Sequence, residues 1–190
     1  MNRPDPLSAG EFQPLPPEAL HILRQVSAPP RLLAHLVLVH DAACTLIERI
    51  SAEFPEAHFN PYLVRFGAAI HDIGKTLHPD ELTQSGKHEH QRSGMELLQS
   101  LGISHDRARF AWTHGHWDDD GITLEDLVVA LADKSWKGKR IEAIEMRTAE
   151  LLSAATARHT WECYAKLDKI LQDVSLPANR KLAWQASFSV

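Results

Sequence analysis

The sequence predicts an all-α domain, and three observations carry the prediction. Apolar residues recur at three-to-four spacing along most of the chain, no segment sustains strict alternation, and neither an Asn-Gly hairpin nor an internal repeat occurs. With 190 residues and 44% hydrophobic content, the chain suffices for one well-buried domain and is short for two. A compact single-domain helical bundle is the expectation.

The elements follow in order. Residues 1–17 hold five of the eleven prolines, which predicts an extended arm and leaves 18–190 as the domain. A short helix over about 17–26 ends at Ala28-Pro29-Pro30. Over about 31–54, Leu32, Leu36, Val39, Ala43, Leu46, Ile47 and Ile50 define a long amphipathic helix stopped by Pro55. Asn60-Pro61 reads as a cap with proline at the first helical position, opening a helix through Ile73 that Gly74 terminates. The stretch 77–87 reads as a loop, with one turn at Pro79-Asp80-Glu81-Leu82. Helices are expected over about 88–101, 106–114, 123–136 and 141–174, the last broken near Ala157. Thr123 with Asp126 resembles a capping box.

Charge and composition narrow the function classes. A net charge of -5 argues against a sequence-independent nucleic-acid binder, and no sequence-specific nucleic-acid motif is present; a small polar or phosphorylated ligand fits better. Cys44 and Cys163 are too few for a disulfide framework or a cysteine zinc site and read as reduced core thiols. No signal pattern and no uninterrupted run of 18 or more apolar residues is seen, so a cytoplasmic protein without a membrane span is expected.

Polar residues on apolar helix faces are the candidates for chemistry. In Ala68-Ala69-Ile70-His71-Asp72-Ile73-Gly74-Lys75 an imidazole and a carboxylate stand side by side at a helix end, donors that together suit a divalent cation. Lys75, four residues past His71, shares its face, and a phosphate is the natural ligand beside a metal and a lysine. The alternative is a polar C-terminal turn with a lysine favoured by the helix dipole. His35 lies on the stripe of Val39, Ala42 and Leu46, whereas His40 points about 140° away. Asp133 closes the apolar run Leu127-Val128-Val129-Ala130-Leu131-Ala132, where a carboxylate needs a counter-charge or a metal. Its counter-charge could be Lys134, Lys137 or Arg140. One shared metal accounts for His35, His71, Asp72 and Asp133 more economically than separate explanations.

In this order and helical context, His35, His71-Asp72 and Asp133 resemble the HD-domain metal-dependent phosphohydrolases, over about residues 31–140. His35-Leu36-Val37-Leu38-Val39 is similar to that family's first histidine helix, and Ala130-Leu131-Ala132-Asp133-Lys134 to its closing motif. Residues 141–190 then supply C-terminal helices, with Trp161, Tyr164, Leu167 and Ile170 as bundle packing or a homodimer face.

The resemblance implies more. Lys75 matches the lysine of two-metal members, in which further histidines lie between the His-Asp pair and the last Asp. His90-Gln91-Arg92-Ser93-Gly94 resembles one such position and Trp112-Thr113-His114-Gly115-His116 the other, with His88 and His116 competing for the two roles. It implies one or two divalent ions (Mn, Fe, Co, Ni, Mg or Zn), with Asp72 as a bridging catalytic ligand. Lys75, Lys134 and Lys137 would bind the phosphate of a small substrate, a nucleotide being the leading expectation. Neither the Gly-Tyr-Pro tripeptide of the cyclic-dinucleotide phosphodiesterases nor the Glu-Pro segment of the tetraphosphate hydrolases is present, so the substrate stays open. A non-catalytic nucleotide-binding module and a di-iron oxygenase on the same scaffold are the alternatives. Trp112, Trp117 and Trp136 flank these ligands, for base stacking or for core packing.

Overall fold

In a computed structural model describing residues 6–8, 10–84 and 86–190, ten α-helices and three 3₁₀ turns make up the regular structure of the described residues, with no strand. The α-helices are α1 (Pro17–Gln25), α2 (Pro30–Glu53), α3 (Pro61–Ile70), α4 (Glu89–Ser100), α5 (His105–Ala108), α6 (Phe110–Thr113), α7 (Leu124–Ser135), α8 (Glu142–Thr156), α9 (Thr160–Ser175) and α10 (Ala178–Ala186). The 3₁₀ turns are Pro6–Ser8, Ile73–Thr76 and Pro79–Leu82.

Local chemistry explains most boundaries. Proline occupies the start of α1, α2 and α3, where its missing N–H leaves no extra orphan. Asn60 Oδ1 accepts from the N–H groups of Tyr62 and Leu63, and Thr123 with Asp126 forms a capping box on α7. The long C-terminal segment breaks at Ala157, whose φ of 55° ends α8 in the left-handed region.

Three boundaries differ from the sequence expectation. The helix from Pro61 stops at Ile70, ahead of Gly74, and passes into the 3₁₀ turn Ile73–Thr76. Gly74 is needed there for contact: a Cβ on it would overlap the His90 carbonyl, and Gly94 faces it from α4 with the same lack of bulk. The segment 106–114 divides into α5 and α6 at Arg109, whose Nη1 donates to the Asp106 carbonyl that a continued helix would offer to Phe110. Finally α10, which lies past the end of the last helix expected over 141–174 though within the C-terminal helical segment 141–190, docks on α2 through Lys181 Nζ to Asp41 Oδ2 at 3.0 Å.

Described residues of the proline-rich N-terminus lie against the bundle rather than projecting as an arm. Leu15 is buried, Phe12 meets Trp184 edge-on at 4.7 Å, and Gln13 N donates to Asp41 Oδ1. Its residues 1–5 and 9 fall outside the described ones.

Helix α2 is the axis of the molecule. Helices α3, α7 and α9 pack along it, and its apolar residues feed two buried clusters. One gathers α7, α8 and α9 around Leu46, Ile50, Phe54 and Trp136; the other gathers α1, α3, α4 and α5 around Leu32, Phe66 and Leu98. Burying each such large side chain contributes about 1.5–3 kcal/mol. By length and mean hydropathy α2 meets the criteria for a bilayer span, although no uninterrupted apolar run marks it, and 72% of that window is buried inside the bundle, as in a core helix. Cys44 and Cys163 are both free and buried.

Candidate metal centre

The site lies where helix ends converge. His35 comes from the first third of α2, His71 caps α3, His90 is the second residue of α4, His114 caps α6, and Asp133 sits in the last turn of α7. Three of these are helix C-termini, whose negative dipole ends favour a cation. His35, His71, Asp72, His90, His114 and Asp133 are all buried.

The donor atoms form two sets that share Asp72. His35 Nε2 lies 3.0 Å from Asp72 Oδ2, 3.3 Å from His71 Nε2 and 3.5 Å from Asp133 Oδ1. His71 Nε2 lies 3.7 Å from Asp72 Oδ2 and 3.8 Å from Asp133 Oδ1. On the other side, Asp72 Oδ1 is 3.1 Å from His90 Nε2 and 3.4 Å from His114 Nε2. Ligands at about 2.0–2.2 Å from one ion are roughly 3.0–3.6 Å from each other, so the second set and the His35 contacts of the first have the spacing of divalent-cation ligands, while the two His71–carboxylate separations of 3.7 and 3.8 Å are slightly wider.

Tautomers make the fit chemical as well as geometric. His71 Nδ1 donates to the Ala68 carbonyl and His114 Nδ1 to the Phe110 carbonyl, both at 3.1 Å. A carbonyl can only accept, so each Nδ1 carries a proton, and the neutral form of each ring presents its Nε2 lone pair to a carboxylate oxygen. Acceptor then faces acceptor, which only a further proton or a cation makes favourable. Burial pulls His71 down to about 3 despite the Asp72 charge, and it lowers His35 as well, so both rings are neutral and ligand-ready near pH 7. Burial also opposes protonation of His90, but the hydrogen bond and charge of Asp72, with Glu81, raise it above its ordinary value.

Lysines surround the carboxylates. Lys75 Nζ lies 2.6 Å from Asp72 Oδ2, while Asp133 receives Lys134 at 2.6 Å and Lys137 at 3.1 Å. Burial would raise both carboxyl groups, yet Lys75 holds Asp72, and Lys137 with Lys134 holds Asp133, well below the usual range. Arg140 is not a partner of Asp133, because its guanidinium is held by Glu145 and Asp168. All three lysines line an open cleft of about 530 Å³ over the two donor sets.

The competing histidines separate clearly in space. His90 and His114 enter the second set, whereas His88 is exposed and His116 stacks on Trp112 at 3.5 Å, both at the cleft wall. His40 is buried away from the site, with Nε2 3.7 Å from Cys44 Sγ. Of the three tryptophans, Trp136 is a core residue edge-on to His35, Trp112 is taken by His116, and Trp117 lines the cleft. Sequence reasoning missed Glu81, which is buried with Oε2 2.5 Å from His90 Nδ1. No local pattern marks it, since it lies in a loop nine residues from its partner.

Residues 32–135, more than half the chain, match the family model described as the HD domain, and the chain belongs to that family. HD domains are in general metal-dependent hydrolases that bind divalent ions. No curated protein and no solved structure matches the chain.

Proposed function

We propose that the chain is a cytoplasmic metal-dependent phosphohydrolase acting on a monoester or diester of a small phosphorylated compound, with a nucleotide as the leading candidate. The observation that carries this reading is Asp72, whose two oxygens face two separate histidine sets beneath a cleft lined by Lys75, Lys134 and Lys137. His35, His71, Asp72 and Asp133 would hold one divalent ion, and Asp72, His90 and His114 a second. Such ions lower the pKa of bound water to about 7 and polarise a phosphoryl oxygen.

The protein's own groups supply the remaining steps. Within the site, Lys75, Lys134 and Lys137 stand against the carboxylates of Asp72, Asp133 and the buried Glu81, three positive side chains to three negative, and Lys87 lines the same cleft. Any divalent ion therefore leaves the cleft positive, which favours an anionic substrate. Lys75 Nζ, beside Asp72 Oδ2, is placed to neutralise charge developing on a phosphoryl oxygen. Trp117 offers an aromatic face in the same cleft for a base.

The test is elemental analysis of protein purified without chelator, followed by phosphate release from a nucleotide panel with Mn²⁺, Co²⁺, Ni²⁺ or Mg²⁺. Metal-dependent release that disappears in Asp72→Ala is expected. Metal and nucleotide binding without turnover would favour the non-catalytic module, and an oxygen-dependent colour change of the iron form would favour the oxygenase.

A further inference from the structure

We propose that Glu81 is the positioning residue of the second donor set: by accepting the Nδ1 proton of His90 it aims that ring's lone pair at Asp72 Oδ1 and sets the affinity of the second ion. This rests on the two-ion reading above and adds a residue that acts through His90.

Helix geometry creates the need for it. His71 and His114 fix their tautomers on carbonyls three and four residues back, acceptors that a preceding helical turn supplies automatically. His90 is the second residue of α4, so the corresponding residues, Lys87 and Gly86, precede the helix and present no such carbonyl to its ring. A side chain from elsewhere has to take the proton. The 3₁₀ turn Pro79–Leu82 supplies it, folding Glu81 inward while Pro79 and Asp80 stay exposed.

The placement disfavours a purely structural role. Glu81 is 6% exposed, its one ion-pair partner among the described residues is His90, and its other oxygen, Oε1, is buried without any hydrogen bond. Burying a carboxylate oxygen without a partner destabilises the fold. What Glu81 provides in exchange is a charged acceptor, stronger than the neutral carbonyls behind His71 and His114, and a charged acceptor on Nδ1 makes Nε2 a better metal donor.

The experiment compares the full chain with Glu81→Gln, Glu81→Ala and His90→Ala, by Mn²⁺ titration with calorimetry, by the spin coupling of paired Mn²⁺ ions, and by melting after chelation. Expected is second-ion affinity weakened about 10- to 100-fold in Glu81→Ala and less in Glu81→Gln, which keeps an acceptor without its charge. First-ion affinity should be unchanged, and Glu81→Gln stripped of metal should melt no lower than the parent. If His90→Ala loses the second ion while both Glu81 variants keep it, the positioning role is wrong and the two-ion reading stands. If the parent takes up one ion and His90→Ala alters nothing, the two-ion reading fails and the role of Glu81 with it. Equal weakening of both ions with a lower melting temperature in Glu81→Gln would make Glu81 structural and overturn the proposal. Loss of an ion in Glu81→Gln matched by His78→Ala and Glu89→Ala, but not by His90→Ala, would assign Glu81 to a cation held with those two neighbours and also overturn it.

Discussion

Lys75 and Asp72 form a close charge pair in the cleft, yet their removal should have different signatures. Lys75→Ala should leave metal uptake intact and reduce phosphate release about 10²- to 10³-fold, because the ammonium acts on charge that develops during reaction. The same variant stripped with a chelator should melt lower than the parent, by up to about 3 kcal/mol in stability, since Asp72 loses its nearest counter-charge. Reloading with Mn²⁺ should erase most of that difference. Full turnover in Lys75→Ala on every substrate the parent hydrolyses would remove its catalytic role. The histidine pairs offer a parallel comparison: His90→Ala and His114→Ala should lose metal, and His88→Ala and His116→Ala should retain it. Elemental analysis showing the reverse would mean that the wrong member of each pair serves the ion.

At the scale of elements, the site depends on how closely two backbones approach. The turn Ile73–Thr76 meets α4 at Gly74 and Gly94, and this contact brings Asp72 and His90 to one point. Gly74→Ala should therefore cost about 2–4 kcal/mol, because the obstacle is the His90 carbonyl, which cannot rotate away. Metal affinity should fall with it; a variant with parental melting and metal content would refute the packing argument. The α8–α9 corner should respond oppositely. Ala157 is exposed and holds a φ of 55°, so Ala157→Gly relieves left-handed strain and should stabilise by about 1 kcal/mol, read as a raised denaturation midpoint.

Across the whole molecule, buried neutral histidines make stability depend on pH. Burial holds His40 at about 4 against an ordinary 6.5, outweighing the Gln13 backbone and Asp41, while Arg65 lowers it further. Above pH 6.5 the ring is neutral in both states. As pH falls from 6.5 toward 4 the unfolded chain takes up a proton that the folded one refuses, so stability is lost across that window, by about 3 kcal/mol at most. Melting temperature should decline over this range, and more shallowly in His40→Gln. Identical slopes in the two proteins would exclude His40 as a contributor. Metal should act on the same global equilibrium: an ion at about 100 times its dissociation constant stabilises by about 2.7 kcal/mol, and a chelator should remove that gain in the parent but not in Asp72→Ala.

The helices and four of the donor residues were legible in the sequence because the relevant signals are local. Three-to-four spacing, proline starts and the Thr123–Asp126 box act within a few residues, and His35 and Asp133 stand out as polar groups on apolar stripes. Where local signals were weak the reading was incomplete, as at Arg109, whose side chain takes the Asp106 carbonyl, and at α10, held by Lys181 to Asp41 across the chain. Tertiary structure decided the rest. Whether His88 or His90 turns inward depends on the contact of Gly74 with α4, which lanes of cation face Asp133 depends on Glu145 and Asp168 drawing Arg140 away, and Glu81 reaches His90 only because its turn folds under the cleft. Each of these is set by the approach of separate segments, and periodicity, which reports one segment's own inward face, carries no information about which side chains of two different segments will meet.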